Sequence, residues 1–215
     1  MLSAGALYHF PPAADERVSP NKRSVMNEPW LRGREYLEIT PKQFEIRVLT
    51  WLKNCHQTLN DFKVIHSNVV PGDSGEYEID VHIEFTIFNE AKITVLVECK
   101  RYRNPVKRDV VMLLEGKLRD TGAHKGMVFS TSGFQRGAIQ YATQRGIALI
   151  DVADGASNYH VRAEGMAGIA PPPWVDISDY IGWFQTSSDG SSVSNSLISD
   201  DRYDPLIDWL SANAG

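Results

Sequence analysis

Residues 93 to 100 read Ile93-Thr-Val-Leu-Val-Glu-Cys-Lys100, an apolar, β-branched run that ends on a carboxylate and an ammonium two positions apart. Strand side chains alternate between faces, so Glu98 and Lys100 share one face and Cys99 takes the other. An acid and a base at the end of such a run cost free energy to bury unless each has a partner or a task. An earlier alternating run, Glu78-Ile-Asp-Val-His-Ile-Glu-Phe85, is joined to it through Asn89-Glu-Ala-Lys92, a hairpin connection that brings Asp80 alongside. Two acids and a lysine on adjacent strands suit a divalent cation held beside a phosphodiester.

Upstream of this hairpin, Thr40-Pro41 opens a helix, with threonine as N-cap and proline at the first helical position. Phe44, Val48, Leu49, Trp51 and Leu52 give it an apolar face through about Asn54. Phe62 to His66 reads as a short strand, Pro71-Gly-Asp-Ser-Gly75 as a turn, and Tyr77 to Phe88 as an alternating strand. Downstream, Val106 to Arg119 reads as a helix with Val110, Leu113, Leu114 and Leu118 inward, and Gly122 and Gly126 bracket its exit. Met127 to Ser130 is a strand, Gln135 to Arg145 a helix ended by Gly146, and Ile147 to Val152 a last strong strand. Helix, three strands, helix, strand, helix, strand specifies an α/β layer structure around a mixed sheet, its later strands parallel through right-handed crossovers.

The flanks carry weaker signals. Residues 1 to 38 are interrupted by proline and aperiodic, and read as an arm or loosely packed extension. Beyond Val152, Pro171-Pro-Pro-Trp174 and Tyr180-Ile-Gly-Trp-Phe184 are apolar but irregular, and Thr186 to Ser196 reads as a flexible Ser-rich linker. Asp204 to Leu210 suggests a short amphipathic helix. The chain thus divides into an arm over 1–38, a central domain over 39–152, and an acidic extension over 153–215.

The chain has 215 residues, 42% apolar and 23% charged, which suits one main globular domain. No run approaches the ~20 apolar residues of a membrane span. Leu2 to Phe10, broken by Gly5 and His9, does not read as a signal peptide. Cys55 and Cys99 stand far apart, which argues against a zinc site or a disulfide framework and fits a reducing cytoplasm. His82, His124 and His160 fall into no ligand spacing, and none of the six histidines reads as a metal ligand. The net charge of −5 conceals an asymmetry. Residues 99 to 147 hold ten Lys or Arg against three acids, and residues 148 to 215 hold ten acids against two arginines. A basic middle of this kind suits a polyanion-binding face, or else solvated helix surfaces.

In order and in residues, the chain resembles the Mrr-like branch of the PD-(D/E)xK restriction-endonuclease superfamily. The resemblance covers about residues 40 to 152. It is carried by Phe44-Glu45, Ile79-Asp80, Glu98-Cys99-Lys100-Arg-Tyr102 and Met127-Val-Phe-Ser-Thr-Ser-Gly-Phe134. Ala138 and Ala142 follow, ahead of Gly146-Ile-Ala-Leu-Ile-Asp151. It implies a restriction-endonuclease-like αβββαβαβ core with a mixed sheet flanked by helices. The function implied is a metal-dependent endonuclease acting on DNA in restriction or defence.

By that resemblance Asp80, Glu98 and the backbone carbonyl of Cys99 would hold Mg²⁺, with Mn²⁺ as substitute, and Glu45 would reach it through water. Lys100 would orient or deprotonate the attacking water and stabilise charge on the phosphorane. Arg101, Arg103, Lys107 and Arg108 would contact phosphates, and Thr131, Ser132 and Arg136 would join them from the next loop and helix start. Plainer readings stand beside these: a turn acid at Asp80, a salt bridge between Lys100 and Glu98, a solvated helix acid at Glu45. Cutting both strands of a duplex implies a homodimer. The other readings are a junction resolvase, a repair or RNA-acting nuclease, or a non-catalytic nucleic-acid-binding or docking subunit. In a further reading, residues 153–215 dock to a larger defence complex.

Overall fold

The computed structural model describes residues 37–55, 59–87, 91–155 and 178–212. The expected arm lies outside these but for its last two residues, as do Pro171 to Trp174, His160 and the middle of the β2–β3 connection. The elements are α1 (Pro41–Lys53), β1 (Asn60–Pro71), β2 (Glu76–Ile87), β3 (Ala91–Lys100), α2 (Arg108–Thr121), β4 (Lys125–Ser130), α3 (Arg136–Arg145), β5 (Ala148–Asp154), β6 (Tyr180–Thr186), β7 (Ser194–Ser199) and α4 (Asp204–Ser211). All seven strands form one sheet in sequential order. β1, β2 and β3 meander antiparallel, β3, β4 and β5 run parallel, and β6 and β7 return antiparallel. The expected mixed sheet with flanking helices is therefore present.

The strands sort their apolar residues onto two faces. Val81, Ile83, Phe85, Val95, Val97, Met127, Phe129 and Ile150 join Phe44, Val48, Trp51 and Leu52 of α1 and Leu206 and Leu210 of α4 in one core. Leu96, Val128 and Leu149 pack with Val111 and Leu114 of α2 and Ala138 and Ala142 of α3 in the other. The helix ends follow local rules. Thr40 and Gln43 exchange a reciprocal capping box at the start of α1. Gly122 and Gly146 close α2 and α3 at φ of 66° and 64°, a conformation that costs other residues about 1–2 kcal/mol.

Several expectations are corrected. β1 runs from Asn60 to Pro71, well beyond Phe62–His66. Its second half, Ser67-Asn68 included, is weak strand sequence held by the long ladder to β2. Leu113 does not face inward; it is 63% exposed, while Val111 joins Leu114 in the core and Val110 and Leu118 pack against it as expected. The stretch at Tyr180–Phe184 is not irregular but lies within β6. Residues 186 to 196 are not simply a linker, because Ser194–Ser196 opens β7. Gly182 permits this: a Cβ there would meet Ile198 Cγ1 at 2.7 Å and Ile150 Cγ2 at 3.0 Å. Trp51 Nε1 donates to Asp200 Oδ1 at 2.5 Å, Arg47 reaches the same oxygen at 3.3 Å, and the Arg47 guanidinium lies over Tyr180 at 4.3 Å. Lys125 ties α4 down by donating to the carbonyls of Trp209, Leu210 and Ala212. Burial pushes its pKa down to about 8, so it remains charged at neutral pH.

Candidate active site

The β2–β3 ladder runs back from Ile87↔Ala91 and stops at Val81↔Val97, although both strands continue. β3 goes on beside β4 to Lys100↔Ser130, while Tyr77 and Ile79 turn onto the α2 side of the sheet. The strands therefore fork at the next register position, where Asp80 stands against Glu98. Asp80 fills the gap in the ladder: its Oδ2 accepts from the Cys99 N–H at 2.6 Å, where a backbone carbonyl would otherwise serve. Local sequence explains the fork, since Pro71-Gly-Asp-Ser-Gly75 is sewn to the end of α2. Ser74 donates through both N–H and Oγ to the Asp120 carboxylate, at 3.1 and 2.9 Å.

Glu98 points to the α2 side, in phase with Leu96, and is 8% exposed. Both its oxygens are taken by ammonium groups, Oε1 by Lys100 and Oε2 by Lys117 of α2 at 3.0 Å. Burial alone would raise its carboxyl, but the two lysines outweigh that and hold it below the usual range. Lys100 is likewise drawn down by burial and up by Glu98 and Asp80; the acids prevail, so the ammonium stays protonated. Asp80 is raised by burial, with the charges of Glu98 and Glu45 adding to it against its hydrogen bond from Cys99 and the pull of Lys100.

Glu45 sits beside the apolar stripe of α1 and accepts from His66 Nε2 of β1 at 2.8 Å. It contributes to the charge at Asp80 and Cys99 without touching either carboxylate of the fork. The Cys99 sulfur belongs to the α1-side core, and burial keeps the thiol protonated, so its backbone is the part the site can use. Among the described residues, no three His, Cys, Asp or Glu side chains gather closely enough to hold a metal ion. The pair Asp80 and Glu98 still fits Mg²⁺ in kind: one or two carboxylates suffice, waters and substrate phosphate supply the rest, and a cation favours the charged form of Asp80 that burial, and after it the neighbouring carboxylates, oppose.

The basic residues lie beyond the C-terminal ends of β3 and β4. Arg101 is partly buried, while Arg103, Lys107, Arg108 and Arg136 are exposed on the segments that follow β3 and β4. Arg108 is turned over the Tyr141 ring at 4.8 Å. Thr131 and Ser132 donate their hydroxyl protons to the carbonyls of Tyr102 and Asn104, at 3.1 and 2.7 Å, so they staple the two loops together. A Val106↔Phe134 bridge completes the staple.

Two residues at this site escaped the sequence reading. Lys117 follows Leu114 by three positions on the inward stripe of α2, and a lysine on an apolar stripe is the signal for it. His66 became a partner of Glu45 only through long-range strand placement, which has no local signature.

A family model described as restriction endonuclease, Mrr_cat, matches residues 37–156. That span contains α1 to β5 and every fork residue. A crystal structure of a protein of unknown function, AF1548, aligns with 23% identity over 50% of this chain and 55% of that one, with a TM-score of 0.41. No curated protein matches the chain significantly.

Proposed function

Since the chain belongs to the Mrr_cat restriction-endonuclease family, we propose that it is a Mg²⁺-dependent endonuclease hydrolysing DNA phosphodiester bonds, with Mn²⁺ as a substitute. The observation that carries this reading is the fork, where Asp80 and Glu98 converge beside a protonated Lys100. Asp80 and Glu98 would hold the ion, with the Cys99 carbonyl beside them and Glu45 reaching it through water. When bound, a divalent cation polarises the scissile phosphate and lowers the pKa of a coordinated water. Lys100, kept charged by its acid neighbours, stabilises negative charge developing on the phosphate and orients the attacking water. Arg103, Lys107 and Arg136 hold the nucleic-acid backbone without reading bases.

The physiological setting we infer is cytoplasmic restriction or defence, with two copies acting on a duplex and residues 153–215 available to a larger complex. Among the described residues no helix is long and apolar enough to cross a membrane. A second reading, a nucleic-acid-binding module that keeps the fold without catalysis, is favoured by the capture of both Glu98 oxygens by lysines. One assay separates the two: duplex, single-stranded and branched DNA, and RNA, incubated with Mg²⁺, with Mn²⁺ or with EDTA. Metal-dependent cuts that vanish in Asp80→Ala support the nuclease. Binding without any cut, identical in Asp80→Ala, would overturn it.

A further inference from the structure

Lys117 is a half-buried charge that the metal-holding and phosphate-binding roles leave unused. Its side chain is 12% exposed, it comes from α2 rather than from the catalytic strand, and it takes the Glu98 oxygen that Lys100 leaves. Its remaining contact is the Glu78 carbonyl at 3.4 Å, on the short arm of β2 beyond the fork. Without a cation, two carboxylates, Asp80 and Glu98, are balanced by two ammonium groups, Lys100 and Lys117. A divalent ion placed among these four would leave an excess of two positive charges. Like charges a few ångströms apart in a partly desolvated site are costly. Lys100 is tied to Glu98 by position on the same strand, and also feels Asp80. Lys117 is the member with somewhere else to go, since the Glu78 carbonyl lies within its reach.

We propose that Lys117 is a built-in counter-ion that occupies Glu98 in place of the divalent cation and gives up Oε2 when the ion enters. This rests on the metal-dependent reading of the fork. Lys117 thereby helps balance the charge of the two fork carboxylates and weakens the resting affinity of the site for metal, so that substrate phosphate, which brings its own negative charge, is needed for tight loading. The residue is a positioning and gating group, since its contacts are the Glu98 carboxylate and the Glu78 carbonyl.

The test measures Mn²⁺ binding to the full chain without nucleic acid, from the loss of the free-ion signal in electron paramagnetic resonance. Lys117→Met should bind Mn²⁺ about tenfold more tightly than wild type, because a neighbouring positive charge is gone. Lys117→Arg should restore the weak affinity. Lys92→Met, which removes a lysine paired with Glu84 at 2.7 Å elsewhere on the sheet, should leave it unchanged. Lys117→Gln, which keeps a donor for Glu98, serves if the methionine variant fails to fold, and should also tighten binding. Wild type that binds Mn²⁺ while both Lys117 variants bind it equally or more weakly overturns the counter-ion role and leaves the metal-dependent reading intact. Absence of Mn²⁺ binding in every folded variant, even with DNA added, overturns both.

Discussion

Replacing Asp200 with alanine removes a residue far from the fork in sequence, yet the structure makes it a support for α1. Its Oδ1 accepts from Trp51 Nε1 at 2.5 Å, and Trp51 is 1% exposed. An indole N–H left in the core without an acceptor costs about 1–3 kcal/mol. The Arg47–Asp200 pair, with side chains 30% and 36% exposed, adds at most about 1 kcal/mol after solvent screening. The expected loss is about 2 kcal/mol, and for a chain of this size that lowers Tm by about 4–8 °C. Urea unfolding should show a lower midpoint with an unchanged slope, because the surface exposed on unfolding is the same. Asp200→Asn keeps an oxygen for the indole and should recover most of the loss. A change within about 0.5 kcal/mol of wild type for Asp200→Ala, the range of an ordinary surface substitution, would refute the support. So would an asparagine variant as unstable as the alanine one.

Asp80→Asn should slow cleavage at least about 100-fold, yet raise the metal-free stability at neutral pH, measured by thermal melts in EDTA. The sign follows from burial and the neighbouring carboxylates, which raise the folded carboxyl above its ordinary 3.8. Stability from the neutral acid is complete below 3.8 and is lost as pH rises through the folded value, so the asparagine advantage should appear at pH 7 and close towards pH 3.8. A variant less stable at pH 7, or a gap that ignores pH, would contradict the crowding. Gly182→Ala drives a methyl against Ile198 and Ile150 and should cost about 1–3 kcal/mol in urea unfolding. An alanine variant of wild-type stability would show that β6 is not pressed against its neighbours as described.

Most of the fold from α1 to β5 was legible because local rules and long-range packing agree there. Thr40-Pro41 and Gln43 start a helix that the core also requires, Gly122 and Gly146 end helices where their φ values demand glycine, and the β3 run is apolar because both its faces are covered. The C-terminal strands were not legible. Ile181 and Trp183 are as apolar as the inward Phe184, so β6 shows no alternation. Ser194, Asn195 and Ser196 are poor strand formers that become strand by pairing with β6. At the site, Asp80, Glu98 and Lys100 were visible as charges on strands, where each is expensive. The lysine that completes the set was hidden in α2, because its burial depends on how that helix is rolled against the sheet. Leu113 was misplaced for the same reason: its spacing allowed the inward face, and the observed roll of α2 turned it out.

The bond from Trp51 to Asp200 spans 149 residues of sequence, and Leu206 and Leu210 enter the same core still later. At a synthesis rate of roughly 5–20 residues per second, about 7–30 s separate the two halves of that bond. For most of this interval the helix that carries Glu45 lacks its outer cover, and β5, once made, has no neighbour on its far side until β6 follows it. The charged residues of the fork are all made by then, but the scaffold that aligns them is unfinished. A chain stopped short of β6 and β7 would thus carry every charged residue of the fork on a sheet and a helix that still lack their cover.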